Sequence, residues 1–240
     1  MRQTWHDLLF AHWPLDPAAL LPWIPPPLAV DCFDGRAWLG VVPFQMAGVT
    51  PRGVPALPGL SAFAELNVRT YVTAGGKAGV LFFSLDAASR LAVEVARLTD
   101  HLPYYRARMA VRTEGETIHY ASRRTDPRGR PAELVARYGP AGPVVGSRPG
   151  SLDHFLTERY CLYAIDRHTR THVCQIHHAP WPLQRASAEV ERNTLLNGLS
   201  LGLLAETRPA LLHFAKRQDT IAWRPRLVGS PRDSRDAAAP

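Results

Sequence analysis

The chain has 240 residues, 46% of them apolar and 20% charged, with a formal net charge of +7. That length buries enough apolar surface to fold without staples, and no run approaches the roughly 20 apolar residues that span a bilayer. The positive charge does not make a nucleic-acid surface: all of the 28 basic residues except Lys77 and Lys216 are arginine, scattered without a Lys/Arg-rich run. Neither nucleic acid nor membrane is therefore expected as a partner. Cys32, Cys161 and Cys174 show no CxxC spacing and read as reduced thiols.

Met1 to Phe10 does not read as a secretory signal, which sets a cytoplasmic expectation. Asp16-Pro17 before Ala18 to Leu21 predicts a capped short helix, ended by Pro25-Pro26-Pro27. Asp34-Gly35 predicts a turn that joins Leu28–Phe33 to a strand over Ala37–Met46 as a hairpin. Ser61, in Pro-Gly-Leu-Ser-Ala, lacks the elbow of a nucleophilic serine. Phe63 to Thr73 alternates as a strand. Ala64, Leu66, Val68, Thr70 and Val72 take one face; Phe63, Glu65, Asn67, Arg69 and Tyr71 take the other.

Gly75-Gly76 turns the chain into a second strand, Val80 to Leu85. Asp86 to Thr99 has helical spacing, with Leu91, Val95 and Leu98 on one stripe. Strands are then predicted at Arg106–Arg112, Thr117–Arg124, Arg159–Ile165 and Thr171–Ile176. Loops rich in Gly, Pro and Arg are predicted at Asp126–Pro131 and Tyr138–Ser151. Pro209 predicts a short helix ending near Gln218, with His213 on it in a structural place. Residues 230–240 predict a disordered tail, which leaves a single domain over 1–229.

Several stretches carry a family resemblance: FDGRAWLGVVPF (33–44), ELNVRTYV (65–72), GKAGVLFFSLDA (76–87), LPYYRARM (102–109), TERYCLY (157–163), HHAPWPLQ (177–184) and LLHFAKR (211–217). Over nearly the whole chain they resemble the YqjF-like proteins, an uncharacterised bacterial family. That family is similar, more remotely, to acetoacetate decarboxylase. The likeness lies in layout: a helix ending in Pro-x-Pro-Leu (Pro25 to Leu28), a glutamate-bearing strand, a strand, a helix, and a Phe/Tyr-Pro-Lys-Lys tetrad. The resemblance implies an α+β fold, a large, mostly antiparallel β-barrel with a few flanking helices. The related decarboxylases are oligomers, which implies a homo-oligomer here.

The decarboxylase forms a Schiff base on the first lysine of its pair, whose pKa the second lysine lowers. In this sequence the tetrad reads Leu102-Pro103-Tyr104-Tyr105, and a phenol cannot form an imine. Lys77, in a Gly-Gly-Lys turn, and Lys216, at an expected helix end, do not replace it. Schiff-base decarboxylation is not expected.

By the same layout Glu65 corresponds to the decarboxylase's active-site glutamate. His6 lies near the place of an arginine that helps with the substrate carboxylate, which implies a position at a pocket mouth. A barrel interior is either filled by side chains or holds a ligand. In one reading Glu65 and Arg69 form a buried pair, held by Asn67 and tyrosine hydroxyls, that plugs the lumen. In the other Arg69 binds a ligand carboxylate, Glu65 is acid or base, and Asn67, Tyr71, Tyr105 and His6 line the pocket. Tyr104 then orients a carbonyl or donates a proton to an enolate oxygen; its plain alternative is packing plus a hydrogen bond. That this strand face points outward instead stays open.

His172, Cys174 and His178 share one strand face while His177 points away, and no acidic residue accompanies them before the Pro-rich turn. No metal is expected there. The sequence has neither a P-loop nor a dinucleotide fingerprint, so no cofactor is expected. Three functions remain open. The first is a binder of a small apolar or aromatic carboxylate or keto acid. The second is an enzyme of lyase, tautomerase or hydrolase type doing non-covalent acid–base chemistry with Glu65 and Tyr104. The third is a ligand-free structural or partner-binding domain.

Overall fold

The computed structural model describes residues 1–50, 62–201 and 207–229; Ser61 and the expected tail over 230–240 lie outside the described residues. The alternating segment is a strand, β4 (Phe63–Ala74), that turns back into β5 (Lys77–Ala87). Gly75 and Gly76 take φ values of 57° and 79°, the pair of positive angles a tight hairpin turn needs and a Cβ resists. On the other side of β4 lies β3 (Ala37–Thr50), then β1 (Arg2–Leu15), then β12 (Leu211–Ala222).

These strands belong to one 13-stranded sheet that closes on itself. From β5 it runs through β6 (Tyr104–Glu114), β7 (Thr117–Arg124), β8 (Glu133–Val144) and β11 (Gln184–Asn193) to β12, and the β4–β5 pairing completes a ring. A second closure runs from β5 through β9 (Cys161–Ile165) and β10 (Thr171–His178) back to β12. β5 pairs with β6 and β9 in parallel; the other pairings are antiparallel. The edges are the two-residue strands β2 (Ala29–Val30) and β13 (Arg226–Leu227), short enough to offer little to another chain. The α+β expectation thus resolves to a mostly β-sheet structure with two short α-helices, α1 (Arg90–Thr99) and α2 (Leu152–Thr157).

Several elements differ from expectation. The predicted C-terminal helix is β12, because Leu211 to Ala222 is held between β1 and β11 and its side chains are needed on both faces. The first fourteen-residue strand, β1, carries no alternation in sequence, since Leu8 to Ala11 are buried on both sides. Residues 138–144, predicted as loop, end β8, whose partner β11 was likewise not predicted. The expected hairpin around Asp34-Gly35 reduces to one bridge, Phe33 with Arg36, and β2 pairs with β4 instead of β3. The short helix after Asp16 is two 3-10 turns, with the Asp16 carboxylate accepting from the Ala18 amide at 2.8 Å. In α1 the Leu91, Val95 and Leu98 stripe faces solvent, while Val93 on the other side is buried.

The two closures bury both faces of the wall formed by β1, β3 and β4. One face carries Leu9, Ala11, Leu39, Val41, Leu66, Val68 and Val72, which pack across the ring on Ile118, Tyr120, Leu134, Tyr138 and Phe214. The interior of the ring is therefore mostly apolar, with the buried Asp86–Arg124 pair at 2.7 Å and Ser122 toward one end of it. This corrects the expectation that the Glu65 face points into it. That face looks the other way, under α1, α2, Trp181 and the β9–β10 extension. Strand periodicity sorts side chains into two sets, but only the pairing of distant strands decides what covers each set.

Candidate functional site

The covered polar face is built from four neighbouring strands. β1 contributes Phe10 and His12, β3 Trp38 and Gly40, and β12 His213; β4 contributes Glu65, Asn67, Arg69 and Tyr71. Gly40 lets His12 and Arg69 pack close, since a Cβ there would lie 3.2 Å from His12 Cδ2 and 3.3 Å from Arg69 Cγ. A β-bulge between Val68 and Arg69 shifts the register against β5.

The predicted residues separate into two groups along β4. Glu65 is 2% exposed and accepts a hydrogen bond from the Tyr104 hydroxyl at 2.9 Å. Burial, seconded by nearby Asp86, pushes the Glu65 carboxyl up to about 8, against the bond from Tyr104 that pulls it down. At neutral pH it is a protonated acid. Tyr104 in turn is held well above its ordinary range by burial and then by Glu65.

Four residues on, about 13 Å along the strand by the usual rise, Arg69 does not pair with Glu65. Its Nη2 donates to the Leu156 carbonyl at 3.2 Å and to the Tyr71 hydroxyl at 3.4 Å, and its guanidinium lies 5.4 Å from the Phe10 ring centre. The Glu65–Arg69 plug is therefore not formed. Tyr71 also donates to the Leu156 carbonyl, at 2.9 Å. With that proton committed, His12 Nε2, 2.7 Å from the Tyr71 oxygen, is the donor between them, a tautomer set by the network. His12 Nδ1 is then a buried lone pair. Burial, then Arg69 and His213, holds His12 well below its ordinary pKa.

Among the described residues, fourteen buried side-chain polar atoms make no hydrogen bond. Ten belong to this face or to the Trp181 that covers it: Gln3 Oε1, Trp5 Nε1, His12 Nδ1, Trp38 Nε1, Asn67 Oδ1, Arg69 Nε, Trp181 Nε1, both His213 nitrogens and Thr220 Oγ1. His213 Nε2 lies 3.2 Å from Asp153 Oδ1, an ion-pair distance at an angle that makes no hydrogen bond. Buried polar groups are nearly always paired, so this concentration marks the face.

Two predicted residues lie elsewhere. Tyr105 takes the opposite face of β6 from Tyr104, its ring centre 4.3 Å from Arg124 and 5.6 Å from Arg97. His6 stands opposite Gln45 and Arg217, in the row of Ala64, on the other side of the sheet from Glu65. His172 has an acid after all: its Nε2 lies 3.0 Å from Asp166 Oδ2. Lys216 lies on β12 and pairs with Asp7 at 2.6 Å. Cys32 is exposed and Cys161 and Cys174 are buried, all as free thiols. The sequence reading missed His12, Trp38, Trp181 and His213. For His12 and His213 the signal was weak, because β1 and β12 read as a uniformly apolar run and a helix.

Two clefts open on the described surface, of about 450 Å³ around Gln3, His178 and Thr220 and about 310 Å³ around Asp31, Phe155 and Arg159. Neither is lined by Glu65 or Arg69. Among the described residues no helix is long and apolar enough to cross a membrane.

The closed sheet has counterparts among solved structures. An acetoacetate decarboxylase-like enzyme from Sphingomonas wittichii RW1 superposes with a TM-score of 0.61 at 15% identity, covering 93% of this chain and 92% of its own. The enduracididine biosynthesis enzyme MppR, complexed with the condensation product of pyruvate and imidazole 4-carboxaldehyde, gives 0.62 at 12% identity over 94% and 88%. At such identities the likeness is one of fold. The sequence places the chain more closely: the DUF2071 family, described as an uncharacterized conserved protein, matches residues 2–219. Protein YqjF of Bacillus subtilis (strain 168) is 45% identical over 223 residues, covering 93% of this chain and 90% of its own. The chain belongs to this YqjF-like family.

Proposed function

We propose that the ring is a barrel whose outer, polar wall binds a small organic acid, with the acid group on Arg69. The observation that carries this reading is the set of unpartnered polar atoms on one buried face, three of them on His12 of β1 and Asn67 and Arg69 of β4. Leaving such atoms dry costs about 1–3 kcal/mol each, and stability alone gives no return for it. A carboxylate on Arg69 relieves the Nε donor through a charge-assisted hydrogen bond, whereas His12 Nδ1 and Asn67 Oδ1 are acceptors that call for a hydroxyl or amine donor on the same ligand. Phe10, Trp38 and Tyr71 supply aromatic walls for an apolar body. The MppR complex holds a ligand derived from pyruvate in the same fold, which supports a keto acid among the ligands to try.

A second reading is favoured by the Glu65–Tyr104 pair. A protonated carboxyl beside a phenol is a donor for a carbonyl oxygen, and it suits proton transfer without a covalent intermediate. It requires a ligand that reaches from Arg69 to Glu65. No lysine lies at either tyrosine of the tetrad, so imine chemistry has no nucleophile there.

The test is a thermal-shift screen of small carboxylates, pyruvate included. A ligand of the folded state raises the melting temperature in proportion to the logarithm of its excess over Kd, and Arg69→Ala abolishes the rise. No shift with any carboxylate leaves a structural or partner-binding domain. Proton exchange from deuterated water into a bound keto acid, lost in Glu65→Gln, separates enzyme from binder.

A further inference from the structure

The donors assigned to the ligand already hold a guest from the chain itself. α2 is a six-residue helix capped by Ser151, and its last carbonyls have no partner within the helix. The Leu156 carbonyl among them reaches the Arg69 guanidinium at 3.2 Å and the Tyr71 hydroxyl at 2.9 Å, one oxygen receiving a charged and a neutral donor. A ligand carboxylate on Arg69 would ask for the same two donors. The Leu156 side chain is fully buried, packed among Trp38, Tyr71, Val80, Leu162 and Cys174. Donor pair and apolar pocket together fit an acyl group bearing an isobutyl tail.

We propose that Leu156 stands in for the ligand, and that the site takes a branched aliphatic acid of leucine-like shape. Its carboxylate replaces the Leu156 carbonyl on Arg69 and Tyr71, and its alkyl end replaces the Leu156 side chain. This rests on the Arg69 reading above and names the substrate class within it. A carboxylate competes well for that place, because a charged acceptor bonds a guanidinium more strongly than an amide carbonyl does.

The exchange requires α2 to lift, and its surroundings permit it. Gly146 and Gly150 precede the helix with φ values of 66° and 81°, at positions where an added Cβ meets nothing closer than 3.9 Å. The cleft of about 310 Å³ lies along its outer side, lined by Ser151, His154 and Phe155. The ties that must give way are the Asp153–His213 ion pair at 3.2 Å, the Phe155 ring on Tyr71 and Phe33, and Arg159 Nε on the Phe155 carbonyl at 2.6 Å. The same lift uncovers His12, which shares the Tyr71 hydroxyl with Leu156.

The probe is isocaproate, which has the carbon skeleton of the Leu156 acyl group, compared with isohexanol, acetate and pyruvate. Isocaproate is expected to stabilise the full-length wild type where isohexanol does not. It should also speed hydrogen exchange at the amides of residues 152–158, although bound ligands usually slow exchange. Leu156→Ala empties the pocket and leaves the carbonyl; it should bind isocaproate about tenfold more tightly than wild type, with acetate unchanged. Leu156→Val, the milder variant should the alanine protein not fold, should gain about threefold.

Equal binding of isocaproate and isohexanol to Leu156→Ala would mean plain cavity filling and overturn the proposal. So would slowed exchange in α2 on binding. If pyruvate shifts the wild type in an Arg69-dependent way while isocaproate gains nothing in either variant, this inference fails and the Arg69 reading survives. If no acid binds wild type or variants, both fail.

Discussion

The two faces of β4 share one backbone and have opposite characters. On the face that looks across the ring, the tyrosines are satisfied: Tyr120 donates to the Glu65 carbonyl at 2.6 Å and Tyr138 to the Asp7 carbonyl at 2.8 Å, amid close-packed aliphatic side chains. On the other face most of the unpartnered buried polar atoms of the described residues gather, and its arginine bonds a helix carbonyl and a tyrosine. The first face does what a core does. The second bears a cost that packing does not offset, and the proposed ligand site rests on that difference.

The comparison is broken or sharpened by substitutions taken in pairs. Leu66→Ala, on the apolar face, should cost about 2–5 kcal/mol in chemical denaturation, because the closed ring around it cannot collapse into the cavity. A loss below about 1 kcal/mol would mean that this interior is loosely packed. Tyr120→Phe removes the donor to a buried carbonyl and should cost about 1–3 kcal/mol, again by denaturant titration.

On the polar face Glu65→Gln should change stability little near pH 4, where the carboxyl is neutral both folded and unfolded, and should raise it at neutral pH, where only the wild type must take up a proton on folding. Its signature is in the pH profile. The carboxyl is raised from 4.5 to about 8 on folding, so its contribution is whole below pH 4.5 and is lost as pH rises toward 8. The variant should lack that decline and keep only the shallower slope below about 6 that Asp86, which burial raises to about 6, still supplies. Superimposable profiles for wild type and variant would show that Glu65 is ionised in the native protein. Tyr104→Phe removes the bond that lowers the Glu65 carboxyl, so its titration, followed by carboxyl-carbon NMR, should move upward.

The smallest effect is expected at Gly40→Ala. The new Cβ presses on His12 and Arg69, two side chains with contacts at 3.2 to 3.3 Å that can shift by tenths of an ångström. Melting should move only slightly, whereas the stabilisation by an added carboxylate should fall by more than half if Arg69 holds it. Equal losses in both would assign Gly40 to packing alone.

Parts of this arrangement were legible in the residues. The β4–β5 hairpin follows from strict alternation closed by a Gly-Gly turn, both of them local. Tyr104 could be put beside Glu65 through the family layout, and the two are hydrogen-bonded. His12 and His213 were illegible for a physical reason: strands buried on both faces lose the period of two that marks a strand, so β1 gave no strand signal and β12 read as a helix. Tyr105 and His6 were placed by nearness in sequence to site positions, and the pleat turned each to the other side of the sheet.

By itself the sequence determined the membership of each face of β4, the turn that ends it, and the presence of tyrosines at 104 and 105. These depend on residue type and spacing alone. The tertiary structure decided which face meets the ring's interior, that Glu65 pairs with Tyr104 while Arg69 turns away to Leu156, and that α2 covers the place between. Those outcomes depend on the β4–β5 and β10–β12 closures and on a helix nearly ninety residues downstream of Arg69. No local pattern encodes such contacts, because their energy appears only once distant strands have paired.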